Sequence, residues 1–142
     1  MKAPQIIFGL LTALLLAGSC DGSKQKRMDI KLSDMMIRIS EIEIDSNYIE
    51  EYNAILKEEA AESVRLEPGV ISIYPMYQKD NPTQVRILEM YADREAYESH
   101  LQTPHFQKYK TTTLKMVKSL KLVDMKAIDT ETMAEIFSKL RD

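Results

Sequence analysis

Two strand-like runs, Val70–Gln78 and Thr83–Tyr91, are separated only by Lys79-Asp80-Asn81-Pro82, and this constrains the fold more than any other stretch of the chain. A loop of that length and composition closes an antiparallel hairpin. Helical periodicity flanks the hairpin on both sides. Upstream, Tyr48, Tyr52, Ile55, Leu56, Ala60, Ser63 and Val64 recur at the spacing of one helix face, and Pro68-Gly69 ends the run. Downstream, Asp93 caps a helix reaching about Gln102, Thr103-Pro104 breaks it, and a further helix runs to about Val117. Met36–Ile44 and Leu120–Ile128 supply the first and fourth strands. The order is βαββαβ, which predicts an α+β, ferredoxin-like fold with an antiparallel sheet. Thr130 to Leu140 adds a C-terminal helix, capped by Asp129 or Thr130, with Met133, Ile136, Phe137 and Leu140 as its apolar stripe. Helices cover one face of such a sheet. The other face carries apolar residues from several strands and therefore needs a cover, which in folds of this kind is usually a second sheet.

The N-terminus is not part of that fold. Lys2 precedes an apolar run from Ile6 to Ala17, too short to span a bilayer as a mature helix, and Ala17-Gly18-Ser19-Cys20 closes it. Residues 1–19 thus read as a signal peptide of the bacterial lipoprotein type, with Cys20 lipidated as the first mature residue. Ordinary secretory cleavage after Ser19 is the competing reading, and both cut the same bond. Cys20 is the only cysteine, so no disulfide framework exists, and a lipidated cysteine avoids an exposed free thiol. Residues 20–35 read as a polar tether, and 36–142 as one domain. The expected location is exported and membrane-anchored through Cys20, on the periplasmic side or at the cell surface. A formal net charge of −3 with scattered basic residues gives no footprint for nucleic acid.

Candidate chemistry gathers at few positions. The only two histidines, His100 and His105, flank the Thr103-Pro104 helix start. The helix dipole disfavours a cation at His105, so a neutral imidazole able to accept a proton is expected there. Five residues is not a metal-ligand spacing on a helix, so no metal site is expected from the histidines alone. Gly22 and Gly69 are the only glycines after residue 20, and no phosphate loop, dinucleotide fingerprint or nucleophile elbow is present. No cofactor is expected. Val85, Ile87, Glu89 and Tyr91 share one strand face. If that face lies under the helices, Glu89 and Tyr91 point into the space between sheet and helices. Glu59 falls on the inward stripe of the first helix. A Glu89–His105 pair is expected there, in either a structural or a catalytic role. Glu59, His100 and Tyr74 are candidate pocket-lining residues.

Four segments carry a family resemblance: Leu66-Glu67-Pro68-Gly69-Val70, Asp80-Asn81-Pro82-Thr83, Ile87-Leu88-Glu89-Met90-Tyr91 and His100-Leu101-Gln102-Thr103-Pro104-His105-Phe106. Over Met36 to Ile128 the chain resembles the antibiotic-biosynthesis-monooxygenase-like family of dimeric α/β barrels, which includes quinol monooxygenases. The resemblance implies a homodimer joined through the open sheet face, a ligand pocket between sheet and helices, and cofactor-independent oxidation of a small quinol or other aromatic substrate. His105 would then be the base, assisted by Glu89 and Tyr91. The chain departs from some relatives in having no tryptophan. Two other functions fit the same residues: a binding module that holds a small apolar or carbonyl compound unchanged, and an isomerase of a small hydroxycarbonyl compound.

Overall fold

The computed structural model describes residues 30–139. The expected signal peptide and Cys20 lie outside the described residues, as does Leu140. In chain order the elements are β1 (Met36–Ile44), a single 3-10 turn (Ser46–Tyr48), α1 (Ile49–Leu66), β2 (Val70–Gln78), β3 (Asn81–Tyr91), α2 (Arg94–His100), α3 (Pro104–Thr113), β4 (Val117–Met125) and α4 (Glu131–Ser138). The four strands form one sheet in the order β2-β3-β1-β4, and every neighbouring pair is antiparallel. This is the expected ferredoxin-like α+β arrangement. Among the described residues, no helix is long and apolar enough to cross a membrane.

The strand alternation assigns the two sheet faces. Arg38, Ser40, Ile42 and Ile44 of β1 are buried and lie beneath the helices, with Val85, Ile87, Glu89 and Tyr91 of β3 beside them. Tyr52, Leu56 and Ala60 of α1 close over this face, and Met116, fully buried, seals the end near β4. Burial of these side chains is the main stabilising term, at roughly 1.5–3 kcal/mol for each large one. The opposite face is divided. Ile37, Ile39, Leu88, Met90, Val123 and Met125 share register in one half, whereas Glu41, Arg86 and Lys121 share it in the other.

Local chemistry fixes the ends of the elements. The Asp93 side chain accepts from the Ala96 amide at 2.8 Å and starts α2. Thr103 caps α3 by accepting from the Phe106 amide, with Pro104 in the first turn. Asp129, not Thr130, caps α4. Two boundaries and one burial differ from the sequence expectation. First, α3 ends at Thr113 rather than near Val117. The run Thr111-Thr112-Thr113 is poor in helix propensity, and the Met116 amide turns back onto the Thr113 carbonyl. Second, β4 therefore begins at Val117 and is over before Ile128, which is fully exposed. Third, Val64 is 46% exposed because it faces an outer groove beside β2 instead of the core.

Candidate functional site

A cavity of about 440 Å³ lies between the inner face of the sheet and the α2–α3 pair. Its size falls within the range of small-molecule sites. Ile42, Ile73, Ile87, Phe106 and Val117 make most of the wall apolar. Leu114, Leu120 and Leu122 form a rim and are 74%, 58% and 48% exposed. The polar groups are few and gather on the central strands. The Ser40 hydroxyl donates to one Glu89 carboxylate oxygen, and the Tyr91 hydroxyl donates to the other at 3.0 Å. Arg38 sits in register between Glu89 on β3 and Asp124 on β4. Its guanidinium bonds Asp124 at 2.7–2.8 Å and lies 4.6 Å from the centre of the Tyr97 ring. Burial opposes the Arg38 charge, but Asp124 and Tyr97 outweigh it and hold the pKa above its ordinary value. Burial, reinforced by the neighbouring Glu89 carboxylate, pushes the Tyr91 phenol far up. Tyr91 is thus a fixed hydrogen-bond donor that stays protonated throughout the physiological range.

A second polar cluster lies behind one wall of the cavity. Glu67, just past the end of α1, places a single oxygen, Oε1, 2.9 Å from His100 Nδ1 and 2.5 Å from His105 Nε2. A carboxylate only accepts hydrogen bonds, so both ring nitrogens donate to it. On the far side of the His100 ring, Nε2 lies 3.6 Å from Glu59 Oε1. Glu59 is buried and accepts from Ser63 at 2.8 Å. Burial raises its pKa, against the lowering pull of Ser63 and the two imidazoles. The His100 ring is packed by Phe106, Tyr91 and His105, with centroids 4.8, 5.5 and 6.3 Å away.

Several sequence expectations meet in this region and several do not. Glu59, Glu89, Tyr91 and His100 all line the cavity. The expected Glu89–His105 pair does not form: Glu89 bonds Ser40 and Tyr91, and His105 bonds Glu67. His105 is absent from the cavity wall and borders a separate void of about 10 Å³ beside Glu59 and Tyr109. The register explains this, because Glu89 lies over the centre of the sheet while the first turn of α3 faces α1. Tyr74 is corrected as well. It pairs with Leu88 on the outer sheet face, is 61% exposed, and does not line the cavity. Sequence reasoning missed Arg38, Ser40 and Glu67 as site residues. Arg38 and Ser40 were visible as polar members of an otherwise apolar strand face. Glu67 carried no signal of its own, since only the fold brings it to residues 33 and 38 positions away.

Residues 35–112 match the family model described as antibiotic biosynthesis monooxygenase. The chain is similar to a solved Bacteroides thetaiotaomicron protein provisionally named an antibiotic biosynthesis monooxygenase. The two are 50% identical over 70% of this chain and 94% of that one, with a TM-score of 0.69. A Lactobacillus acidophilus protein provisionally named a monooxygenase is 30% identical over 66% of this chain and 44% of its own, with a TM-score of 0.64. A Nitrosomonas europaea structure, 20% identical over 68% of this chain and 93% of its own, shares the fold with a TM-score of 0.64. No curated protein matches the chain significantly.

Proposed function

Because the chain belongs to the antibiotic biosynthesis monooxygenase family, we propose that it oxidises a small hydroquinone or related aromatic substrate with molecular oxygen, without a bound cofactor, in the cavity beneath α2 and α3. The observation that carries this reading is the Glu89 carboxylate, held through both oxygens by Ser40 and Tyr91 inside a largely apolar cavity. Glu89 takes a proton from a substrate hydroxyl and leaves an electron-rich anion. Arg38, one strand away, supplies positive charge near that anion. The apolar wall excludes water and holds the ring in one orientation. The anion reacts directly with oxygen. One oxygen atom enters the ring, the other leaves as water, and the hydroquinone becomes a hydroxyquinone. His105 lies outside the cavity wall, so in this scheme it supports the wall and Glu89 replaces it as the base.

Oxygen uptake with menadiol and related hydroquinones, measured on protein lacking residues 1–29 against a protein-free blank, tests the reading. Uptake above the blank should fall at least 100-fold in Glu89→Gln, the scale of losing a general base. His105→Ala should retain most of it. Uptake equal to the blank across the panel would instead favour the binding-module reading, which the Glu89 carboxylate, held at each oxygen by one hydrogen bond, also suits as a fixed acceptor.

Two further elements belong to this proposal. The apolar half of the outer sheet face supports a homodimer joined sheet to sheet. The Ala17-Gly18-Ser19-Cys20 pattern supports export with a lipid on Cys20. Metabolic labelling with a fatty-acid probe, lost in Cys20→Ser, checks the second.

A further inference from the structure

We propose that Glu67, His100 and His105 form a binding site for a divalent transition-metal ion of the zinc class. Their donor atoms, one carboxylate oxygen and two imidazole nitrogens, all lie within 4.8 Å of one another. The three side chains are only 12%, 3% and 9% exposed. They come from three separate places: the residue after α1, the last residue of α2 and the second residue of α3. A tetrahedral ion with ligand bonds of about 2.0–2.1 Å separates its ligand atoms by about 3.3 Å. The Glu67 oxygen now sits 2.9 and 2.5 Å from the two nitrogens. Each oxygen–nitrogen separation must therefore lengthen by less than about 1 Å, and the two nitrogens, now within 4.8 Å of each other, must settle at about 3.3 Å, changes on the scale of side-chain adjustment.

The chemistry of the set selects the ion. Two imidazoles and one carboxylate form a known zinc donor set that leaves one position for water. Calcium and magnesium take oxygen ligands and do not suit two nitrogens. A second observation comes from the far side of His100. An imidazole that binds metal through one nitrogen usually donates its other N–H to a carboxylate, which fixes the ring. Metal binding at Nδ1 leaves the His100 proton on Nε2, and buried Glu59, 3.6 Å from Nε2 and itself held by Ser63, stands just beyond hydrogen-bond reach of it. No residue of the site follows a local spacing motif, since the two histidines are five apart and a helix break separates them. The fold alone assembles it. Of the three ligands only His100 lines the cavity, so the ion would tie three segments together behind the wall and orient that ring. The site does not depend on the oxidation reading.

The test uses the full chain in detergent micelles, carrying Cys20→Ser so that the single thiol contributes nothing, stripped by a chelator and titrated with Zn²⁺ or Co²⁺. One equivalent should bind with micromolar or tighter affinity. Co²⁺ should give the visible bands of a four-coordinate site, and Zn²⁺ should raise the melting temperature. Glu67→Gln and His105→Gln should each weaken binding at least 100-fold, and Glu59→Gln about 10-fold, the scale of an outer partner. Substituting fully enclosed His100 risks the fold, so His105, at the edge of the cluster, carries the test, with circular dichroism confirming folding. No binding near one equivalent would overturn the proposal. So would binding that Glu67→Gln and His105→Gln both leave unchanged, which would indicate adventitious surface sites.

Discussion

Fully buried Tyr52 and half-buried Tyr109 place their hydroxyls 2.8 Å apart between α1 and α3. Burial pushes the Tyr109 phenol up to about 12 and raises Tyr52 further, reinforced by Tyr109 itself. A group whose folded pKa is raised keeps its proton in the folded state while the unfolded chain has lost it. Stability is therefore complete below about pH 10 and declines as pH rises from 10 towards 12, by about 1.4 kcal/mol per pH unit for each such group. Urea unfolding at pH 8, 10 and 11 should show this decline. Tyr109→Phe should make it shallower by one group's share, since Tyr52 and Tyr91 still contribute, while costing about 1 kcal/mol at pH 8 for the lost hydrogen bond. Single residues were the least legible part of the sequence. Glu89, Tyr91, Glu59 and His100 were found because inward-facing polar residues stand out against an apolar period. Glu67 was not, because an acid at a helix end looks like any solvated acid until the tertiary fold brings two imidazoles to it. Which partner His105 takes depends on where the first turn of α3 lands against α1, and no periodicity encodes that.

Elements were far more legible. All strands and helices of the βαββαβ core announce themselves by period, and the starts of α2 and α3 by the caps Asp93 and Thr103. The α3–β4 junction was misplaced because Leu114, Met116 and Val117 extend an apolar pattern that suits either element. The decision rests on Met116, which is buried in the core and whose carbonyl accepts the Asp45 amide at 2.8 Å. Two substitutions test the joints between elements. Gly69 lies where α2 crosses the start of β2, and an added Cβ would stand 2.6 Å from the Ala96 Cβ. Both atoms belong to well-anchored segments, so Gly69→Ala should destabilise by about 1–3 kcal/mol in chemical denaturation. Thr103 both caps α3 and donates to the His100 carbonyl at 2.8 Å. Thr103→Ala should cost about 1 kcal/mol and leave the fold intact.

At the scale of the whole molecule, the divided outer face is where the proposed assembly is tested. Ile39 lies at the centre of the apolar half, opposite Leu88 on β3 and Val123 on β4. An apolar patch of this kind on an otherwise polar surface marks a contact site. If two copies meet there, Ile39→Lys should convert a dimer into a monomer in sedimentation velocity, with the circular dichroism of the domain retained. Wild-type protein sedimenting as a monomer at micromolar concentration would sink the sheet-to-sheet reading. The sequence signalled that this face needed a cover, because apolar residues alternate onto it. Glu41 and Glu43 also marked one end of the first strand's face as charged, whereas the register that aligns Glu41 with Arg86 and Lys121 comes from strand pairing and not from any one strand.

The strand order β2-β3-β1-β4 also sets a timetable. The first strand to be synthesised occupies an interior place, yet one of its two neighbours is the last strand made. Until residues 117–125 have emerged, β1 has a bare edge whose backbone donors and acceptors are unpaired, and the cavity lacks Leu120 and Leu122 of its rim. An unpaired edge beside apolar side chains invites pairing with another chain. Completion of the cavity and pairing of the β1 edge thus arrive together, once β4 has emerged. A nascent chain arrested after α3 should be captured by other copies of itself more readily than one arrested nine residues beyond Met116.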